Sequence, residues 1–306
     1  MLEVSDLSRS FGSVKALDQV SFTVKPGRLT GFVGSNGAGK TTAMRIIMGV
    51  LSADSGTISY QGRPVTRRVD STFGYMPEER GLYPKMGIQE QLVFFAELHG
   101  LSKAQATAGA ARLLERLGLS QRAKDPVEKL SLGNQQRAQI AAALVHNPTV
   151  LILDEPFSGL DPLAVDTVME VLKDFAASGA PILFSSHQLD VVERITDDLV
   201  IIAGGQIKAT GATAALQAQH AGSRYRLRLA PGADASWATA WRGLTEVSVT
   251  PGGAGSGGAA SDTVVTFGAT PDAAADVLRQ ALTFGPVEGF ERDIPSLAQV
   301  FKEVIA

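Results

Sequence analysis

The chain has 306 residues, enough for one large domain or two ordinary ones, and its 44% apolar content suits a real core. A formal net charge of −3 gives no global basic field for nucleic acid or an anionic membrane, so no nucleic-acid partner is expected. The absence of cysteine excludes disulfides, thiol catalysis and cysteine–metal sites, and it suits a reducing cytosol.

Met1-Leu2-Glu3-Val4 begins no signal-peptide pattern, having neither a basic start nor an apolar stretch. No run approaches the roughly 18–20 apolar residues that a spanning helix needs, so a soluble chain is expected, with any membrane role left to a partner. Ser21 to Val24 and Leu29 to Val33 read as strands. The second runs into Gly34-Ser35-Asn36-Gly37-Ala38-Gly39-Lys40-Thr41, which fits G-x-x-x-x-G-K-[ST] at every fixed position. Thr42 to Met48 then reads as a helix, closed by Gly49. Glycines let consecutive N–H groups curl around one anion, and the helix start adds the positive end of its dipole. Residues Gly34 through Thr42 are therefore expected to cradle the phosphates of a nucleoside triphosphate. Lys40 would reach the β- and γ-phosphates, and the Thr41 hydroxyl would help hold Mg²⁺.

Thr57 to Tyr60 follows a turn at Asp54-Ser55-Gly56 as a further strand. Residues 88 to 99 and 104 to 117 read as helices, closed by Gly100 and Gly118, the first with Ile88, Leu92 and Phe95 on one face. Val150 to Leu153 is a short, wholly apolar strand of the kind buried in a parallel sheet, and it ends in Asp154-Glu155-Pro156. Acid at that strand end stands where ligands bind. Asp154 would hold Mg²⁺, directly or through water, and Glu155 would act as general base on the attacking water. Asp161-Pro162 supplies an N-cap and a first-turn proline for a helix to about Phe175. Ile182 to Ser185 is a strand, and Leu199 to Ala203 with Gln206 to Thr210 form a closing hairpin around Gly204-Gly205. Strands alternating with helices predict an α/β domain with a largely parallel sheet.

Composition shifts near residue 212 to an Ala/Gln-rich segment ending at His220. Tyr225, Leu227 and Leu229 then alternate with Arg224, Arg226 and Arg228, a half-exposed strand pattern. Pro251 to Ala260 reads as a flexible loop, Val264 to Phe267 as a strand, and Thr270-Pro271 as the start of a helix presenting Ala274, Val277, Leu278 and Ala281. A last helix carries Leu297, Phe301 and Val304. Residues 222 to 306 thus predict a small α+β appendage with no recognisable catalytic cluster.

Between the glycine loop and the acidic strand lies Leu130-Ser131-Leu132-Gly133-Asn134-Gln135-Gln136-Arg137. With it, residues 1 to about 215 resemble the nucleotide-binding subunit of ATP-binding-cassette (ABC) transporters, with the family's motifs in the family's order. The resemblance implies a P-loop NTPase cassette with a mixed, largely parallel sheet, N-terminal antiparallel strands and a helical subdomain at about 85–147. It implies ATP and Mg²⁺ as ligands and a second cassette facing the first head to tail, most simply as a homodimer. Ser131 and Gly133, at a helix start, would touch the γ-phosphate held by the other subunit; taken alone, the same segment is an ordinary serine N-cap and glycine turn. Ser158-Gly159-Leu160-Asp161 resembles the D-loop that links the two sites. His187 resembles the switch histidine at the γ-phosphate, and Phe11 stands where the family stacks an aromatic on adenine.

Three positions depart from the family pattern: Leu132 and Asn134 in the signature, and Glu78 where a glutamine usually touches Mg²⁺ and the attacking water. Glu78, in Tyr75-Met76-Pro77-Glu78-Glu79-Arg80, offers an oxygen of similar reach but adds a negative charge. Leu82, Tyr83 and Met86 stand where the family receives a coupling helix of its membrane subunit, or else pack inward. The Pro-Glu-Glu-Arg-Gly-Leu-Tyr-Pro segment, the signature and the short appendage resemble the exporter branch, and the Glu-bearing loop its sodium-extrusion or drug type. The implied protein is an ATP-hydrolysing subunit on the cytoplasmic face of the membrane, bound to a separate permease. A soluble ABC ATPase acting on ribosomes or nucleic acid is the alternative, against which stand one P-loop, one signature, no sustained heptads and an acidic charge.

Overall fold

Buried β-branched and aromatic runs set the architecture of the first part of the chain. A computed structural model describes residues 1–65, 72–79, 81–230, 233–241, 244–251 and 262–305. Two units emerge, Met1–Thr213 together with the end of the last helix from Phe301, and Ala214–Val300.

The first unit runs β1 (Leu2–Phe11), β2 (Val14–Val24), β3 (Leu29–Val33), α1 (Lys40–Ile47), β4 (Ser55–Tyr60), β5 (Arg63–Pro64) and β6 (Phe73–Met76). Helices α2 (Ile88–Leu98), α3 (Lys103–Arg116) and α4 (Leu132–Leu144) follow, then β7 (Val150–Leu153), α5 (Pro162–Ala177), β8 (Ile182–Ser186), α6 (Leu189–Ile195), β9 (Asp198–Ala203) and β10 (Gln206–Ala212). One sheet has the order β10-β9-β3-β8-β7-β6. Its pairs are parallel from β9 through β6, and only β10 returns antiparallel. Every residue of β3, β7 and β8 is buried, as expected of strands covered on both faces. The second sheet, β2-β1-β4-β5, is antiparallel. Its Leu2, Val4, Leu17 and Phe22 share one core with Phe32, Met44 and Ile47.

This order positions chemistry. Strands β3, β8, β7 and β6 are consecutive neighbours, so the segments leaving their carboxyl ends emerge side by side. Those segments carry the glycine loop, His187, Asp154-Glu155 and Glu78 respectively.

In the second unit, α7 (Thr213–His220) leads to β11 (Arg224–Leu229), α8 (Ser236–Thr239), β12 (Thr245–Thr250), β13 (Thr263–Gly268), α9 (Pro271–Phe284), β14 (Val287–Arg292) and α10 (Leu297–Ile305). The antiparallel order β12-β13-β11-β14 with this β-α-β-β-α-β succession is a split βαβ, or ferredoxin-like, arrangement. Tyr225 stacks between Phe267 and Phe290 at 5.9 and 5.6 Å. Val277 and Ala281 of α9 close that core. Of the loop expected at Pro251 to Ala260, residues 252–260 lie outside the described residues.

Five strands escape the sequence pattern, β1, β5, β6, β12 and β14. The strand expected at Ser21–Val24 begins at Val14 and pairs with β1, which alternation does not reveal. Asp6 and Gln19 sit at φ 50° and 49°, and register shifts there break the period-two signal. Strands β6, β12 and β14 were not anticipated either; β12 and β14 lie at the edges of their sheet and are largely exposed.

Candidate functional site

Glycine is required at two points of the loop by close approach. A Cβ on Gly34 would stand 2.5 Å from the Ile202 carbonyl oxygen. On Gly39, at φ 107°, it would stand 2.6 Å from that of Ala16. Gly39 is also the N-cap of α1 and offers no side-chain acceptor. The first N–H groups of α1, on Lys40, Thr41 and Thr42, therefore lack both an intrahelical and a capping partner. Lys40 is buried, and its Nζ donates to the carbonyls of Gly34 at 2.7 Å and Ser35 at 3.2 Å. The ammonium is thus folded over the concave side of its own loop.

The acids are fixed from β8 and α4. Asp154 is 1% exposed. The Ser185 hydroxyl donates to Asp154 Oδ1 at 2.5 Å and accepts the Glu155 N–H at 2.8 Å. Gln136 Nε2 donates to the Glu155 carbonyl at 2.9 Å. Glu155 adopts φ 52°, the left-handed region, which a non-glycine residue occupies at about 1–2 kcal/mol. Side-chain partners on both its N–H and its C=O hold it there. His187 Nδ1 lies 2.9 Å from Glu155 Oε2. Nearby, burial first and the Asp154 charge second push the Tyr75 phenol above its ordinary value, with Arg45 opposing both.

A cavity of about 260 Å³ is lined by Ala16, Asn36 through Thr42, Glu78, Asp154 and Glu155. It brings together segments from the ends of β3, β6 and β7, and His187 reaches it through Glu155. A larger cavity of about 740 Å³ runs along α2 and α3 past Glu90, Phe94 and Lys103. It has no anion-binding loop, so volume alone does not mark the site.

Phe11, Ser131, Gly133 and Asp161 do not line the smaller cavity. Phe11 is 47% exposed, with the Arg9 guanidinium 4.9 Å from its ring centroid. Ser131 caps α4 by accepting from Asn134 N–H, and Asp161 caps α5 by accepting from Ala164 N–H at 2.8 Å. Where the family receives a coupling helix, Tyr83 is exposed and Leu82 and Met86 are half-buried. Arg80 lies outside the described residues. Sequence reasoning missed Ser185 and Gln136. The available signals were a pair of serines closing an otherwise apolar strand and a glutamine on the buried face of a helix.

The residues fit a magnesium–nucleotide complex. Asp154 Oδ2 is buried without a hydrogen-bond partner among the described residues, as befits an oxygen meant for a cation. Among those residues no group of three or more His, Asp and Glu side chains could hold a metal by itself. That matches Mg²⁺, which is usually held by one or two carboxylates together with substrate phosphates. The uncapped start of α1 and the Lys40 ammonium supply the anion-binding half.

Such a phosphate loop facing paired carboxylates from the strand two places away in a parallel sheet defines a P-loop nucleoside-triphosphate hydrolase. The family profile described as ABC transporter matches residues 17–158. An uncharacterized ABC transporter ATP-binding protein of Bacillus subtilis is 44% identical over 206 residues, 67% of this chain and 69% of the relative. The linearmycin resistance ATP-binding protein of the same organism is 33% identical over 251 residues, 81% of each chain. The Nod factor export ATP-binding protein I of Paraburkholderia xenovorans is 38% identical over 224 residues, 72% and 74% of the two chains. A solved ATP-binding subunit of an ABC transporter superposes with a TM-score of 0.67 at 34% identity, covering 72% of this chain and 93% of that one. The chain belongs to the ATP-binding subunits of ABC transporters, and it is an ATPase. No helix among the described residues is long and apolar enough to cross a membrane.

Proposed function

We propose that this chain is the ATP-hydrolysing subunit of an exporter, driving a separate integral membrane permease from the cytoplasmic face. Residues 1–215 form the cassette, with a helical subdomain at about 85–147, and 222–306 form an accessory domain. The names of the linearmycin resistance and Nod factor export relatives support the export direction. Cargo of the sodium or drug-like class is the reading supported by the resemblance of the Glu-bearing loop to sodium-extrusion or drug-type subunits.

The single observation that carries the reading is the cavity that joins Lys40 and Thr41 to Glu78, Asp154 and Glu155. The N–H groups from Gly34 to Thr42 and the Lys40 ammonium bind and neutralise the triphosphate. Thr41, Asp154 and Glu78 would hold Mg²⁺, which would supply further neutralisation of the charge on the phosphate oxygens. Glu155 orients the attacking water and takes its proton. His187 keeps Glu155 Oε2 engaged and aims at the γ-phosphate. Phe11 stacks on the base. Ser131, Gly133 and Asp161 act across a homodimer of cassettes, with the start of α4 meeting the partner's nucleotide.

The test is Glu155→Gln measured against the parent protein. The variant is expected to bind ATP, to hydrolyse it at least about a hundredfold more slowly, and to elute as a dimer with ATP and a monomer without it. Parent-like turnover would remove Glu155 from the role of base, and a monomer under both conditions would remove the head-to-tail dimer.

A further inference from the structure

The loop that carries Glu78 leaves β6 at its carboxyl end, where ladder hydrogen bonds stop. Among the described residues, no backbone N–H reaches the carbonyl of Pro77 or of Glu79. Both carbonyls are taken instead by one side chain from another element. Gln139 of α4 is 4% exposed, and its Nε2 donates to Pro77 O at 3.2 Å and to Glu79 O at 3.1 Å. The two acceptors bracket Glu78, which lines the 260 Å³ cavity. One buried amide thus pins the backbone on either side of the one loop residue that lines the nucleotide pocket.

We propose that Gln139 is the positioning residue that fixes Glu78 at that pocket. This rests on the reading of the cavity as an ATP site. A primary amide suits the task because both of its protons can be donated at once, to two carbonyls two residues apart. Both contacts are part-buried, and losing their shared donor leaves two carbonyls without a protein partner, so the loop is held where the amide is. The same helix starts at the signature residue Ser131, and one turn before Gln139 it holds the Glu155 carbonyl through Gln136. A shift of α4 would therefore move the supports of both carboxylates together.

The experiment is steady-state ATPase kinetics of Gln139→Met, Gln139→Glu and Gln139→Asn, each also in a Glu78→Ala background, with Mg²⁺ titrated throughout. Methionine keeps the volume and removes both donors. Glutamate keeps the shape and turns acceptors toward two carbonyls. Asparagine keeps an amide that reaches at most one carbonyl, and it is the variant to rely on if the others fail to fold. The expected kcat falls about tenfold for methionine, further for glutamate and less for asparagine, with KM for ATP within about twofold and the half-saturating Mg²⁺ concentration raised. In the Glu78→Ala background the same substitutions should change kcat by less than about twofold, because their target is gone. Effects that multiply across the two sites, or a rise in KM at constant kcat, would overturn the proposal. A parent protein without ATPase activity would instead overturn the reading of the pocket itself.

Discussion

Ser185 is the most informative single residue to change, because one hydroxyl serves both the Asp154 carboxylate and the Glu155 backbone N–H. It lies on a strand that is buried throughout, and it bonds Asp154 Oδ1 at 2.5 Å and the Glu155 N–H at 2.8 Å. Ser185→Ala removes a hydrogen bond to a charged group, about 1.5–3 kcal/mol, and leaves a backbone N–H with no acceptor, about 1–3 kcal/mol. Partial relaxation brings the expected loss of stability to about 3 kcal/mol. With a urea slope near 3 kcal/mol per M, the unfolding midpoint should fall by roughly 1 M. Activity should fall for a separate reason. Glu155 would be held in the left-handed region through its carbonyl only, by Gln136 Nε2 and the Ser158 N–H at 3.2 Å, and Asp154 would keep no side-chain hydrogen bond among the described residues. On the roles proposed above for Glu155 and Asp154, their misplacement should lower kcat by about 10- to 100-fold, while ATP binding, assigned to the glycine loop, should stay within about threefold. The assays are urea unfolding, ATPase initial rates and equilibrium binding of a fluorescent ATP analogue. Parent-like turnover in a destabilised protein would refute the claim that Ser185 aims the acids. Parent-like stability would refute the hydrogen-bond argument itself.

Two further outcomes test other parts of the fold. A Cβ on Gly133 would stand 3.4 Å from the Gly159 carbonyl and 3.6 Å from Leu160 Cδ2, and helices favour alanine over glycine by up to about 1 kcal/mol. Gly133→Ala should therefore melt at or slightly above the parent's temperature yet lose ATP-driven dimerisation and turnover; retained turnover would show that no partner approaches this glycine. Burial, and then the neighbouring His99, whose ring stacks at 3.8 Å, lower the His146 pKa from 6.5 to about 4. As pH falls the unfolded chain takes this proton first, so stability due to neutral His146 is complete above about 6.5 and is lost toward about 4. After screening at a partly exposed ring the loss should be about 1–2 kcal/mol. Urea midpoints at pH 7 and 4.5 should differ less in His146→Phe than in the parent; equal differences would refute the assignment.

The left-handed Glu155 explains why the acidic strand ends so abruptly. Asp154 still bonds the Met76 carbonyl through its N–H at 2.8 Å, as a continuing ladder would. One residue later the backbone reverses its φ, which separates the two adjacent carboxylates. Asp154 is thereby buried against Ser185, and Glu155 meets His187 at the pocket. Two acids next to each other in sequence can then take different tasks.

The elements that sequence reveals here are the ones whose physics is local. The glycine loop is legible because its glycines, Lys40 and Thr41 are contiguous and follow an apolar strand. The start of α5 is legible because Asp161 and Pro162 form a cap by themselves. The alternation of Arg224 to Leu229 announces β11 for the same reason. By contrast, β1 is hidden by its bulges, and Ser185 and Gln139 look like ordinary residues of a strand and a helix. Their importance depends on what lies across a strand boundary or behind a helix. Sequence by itself determined the α/β class, the phosphate loop and the identity of the acids. Only the strand order β3-β8-β7-β6 decided that residues 34–42, 78, 154–155 and 187 converge. Strand order is set by the burial of whole strands against non-local neighbours, which no contiguous stretch of the chain encodes.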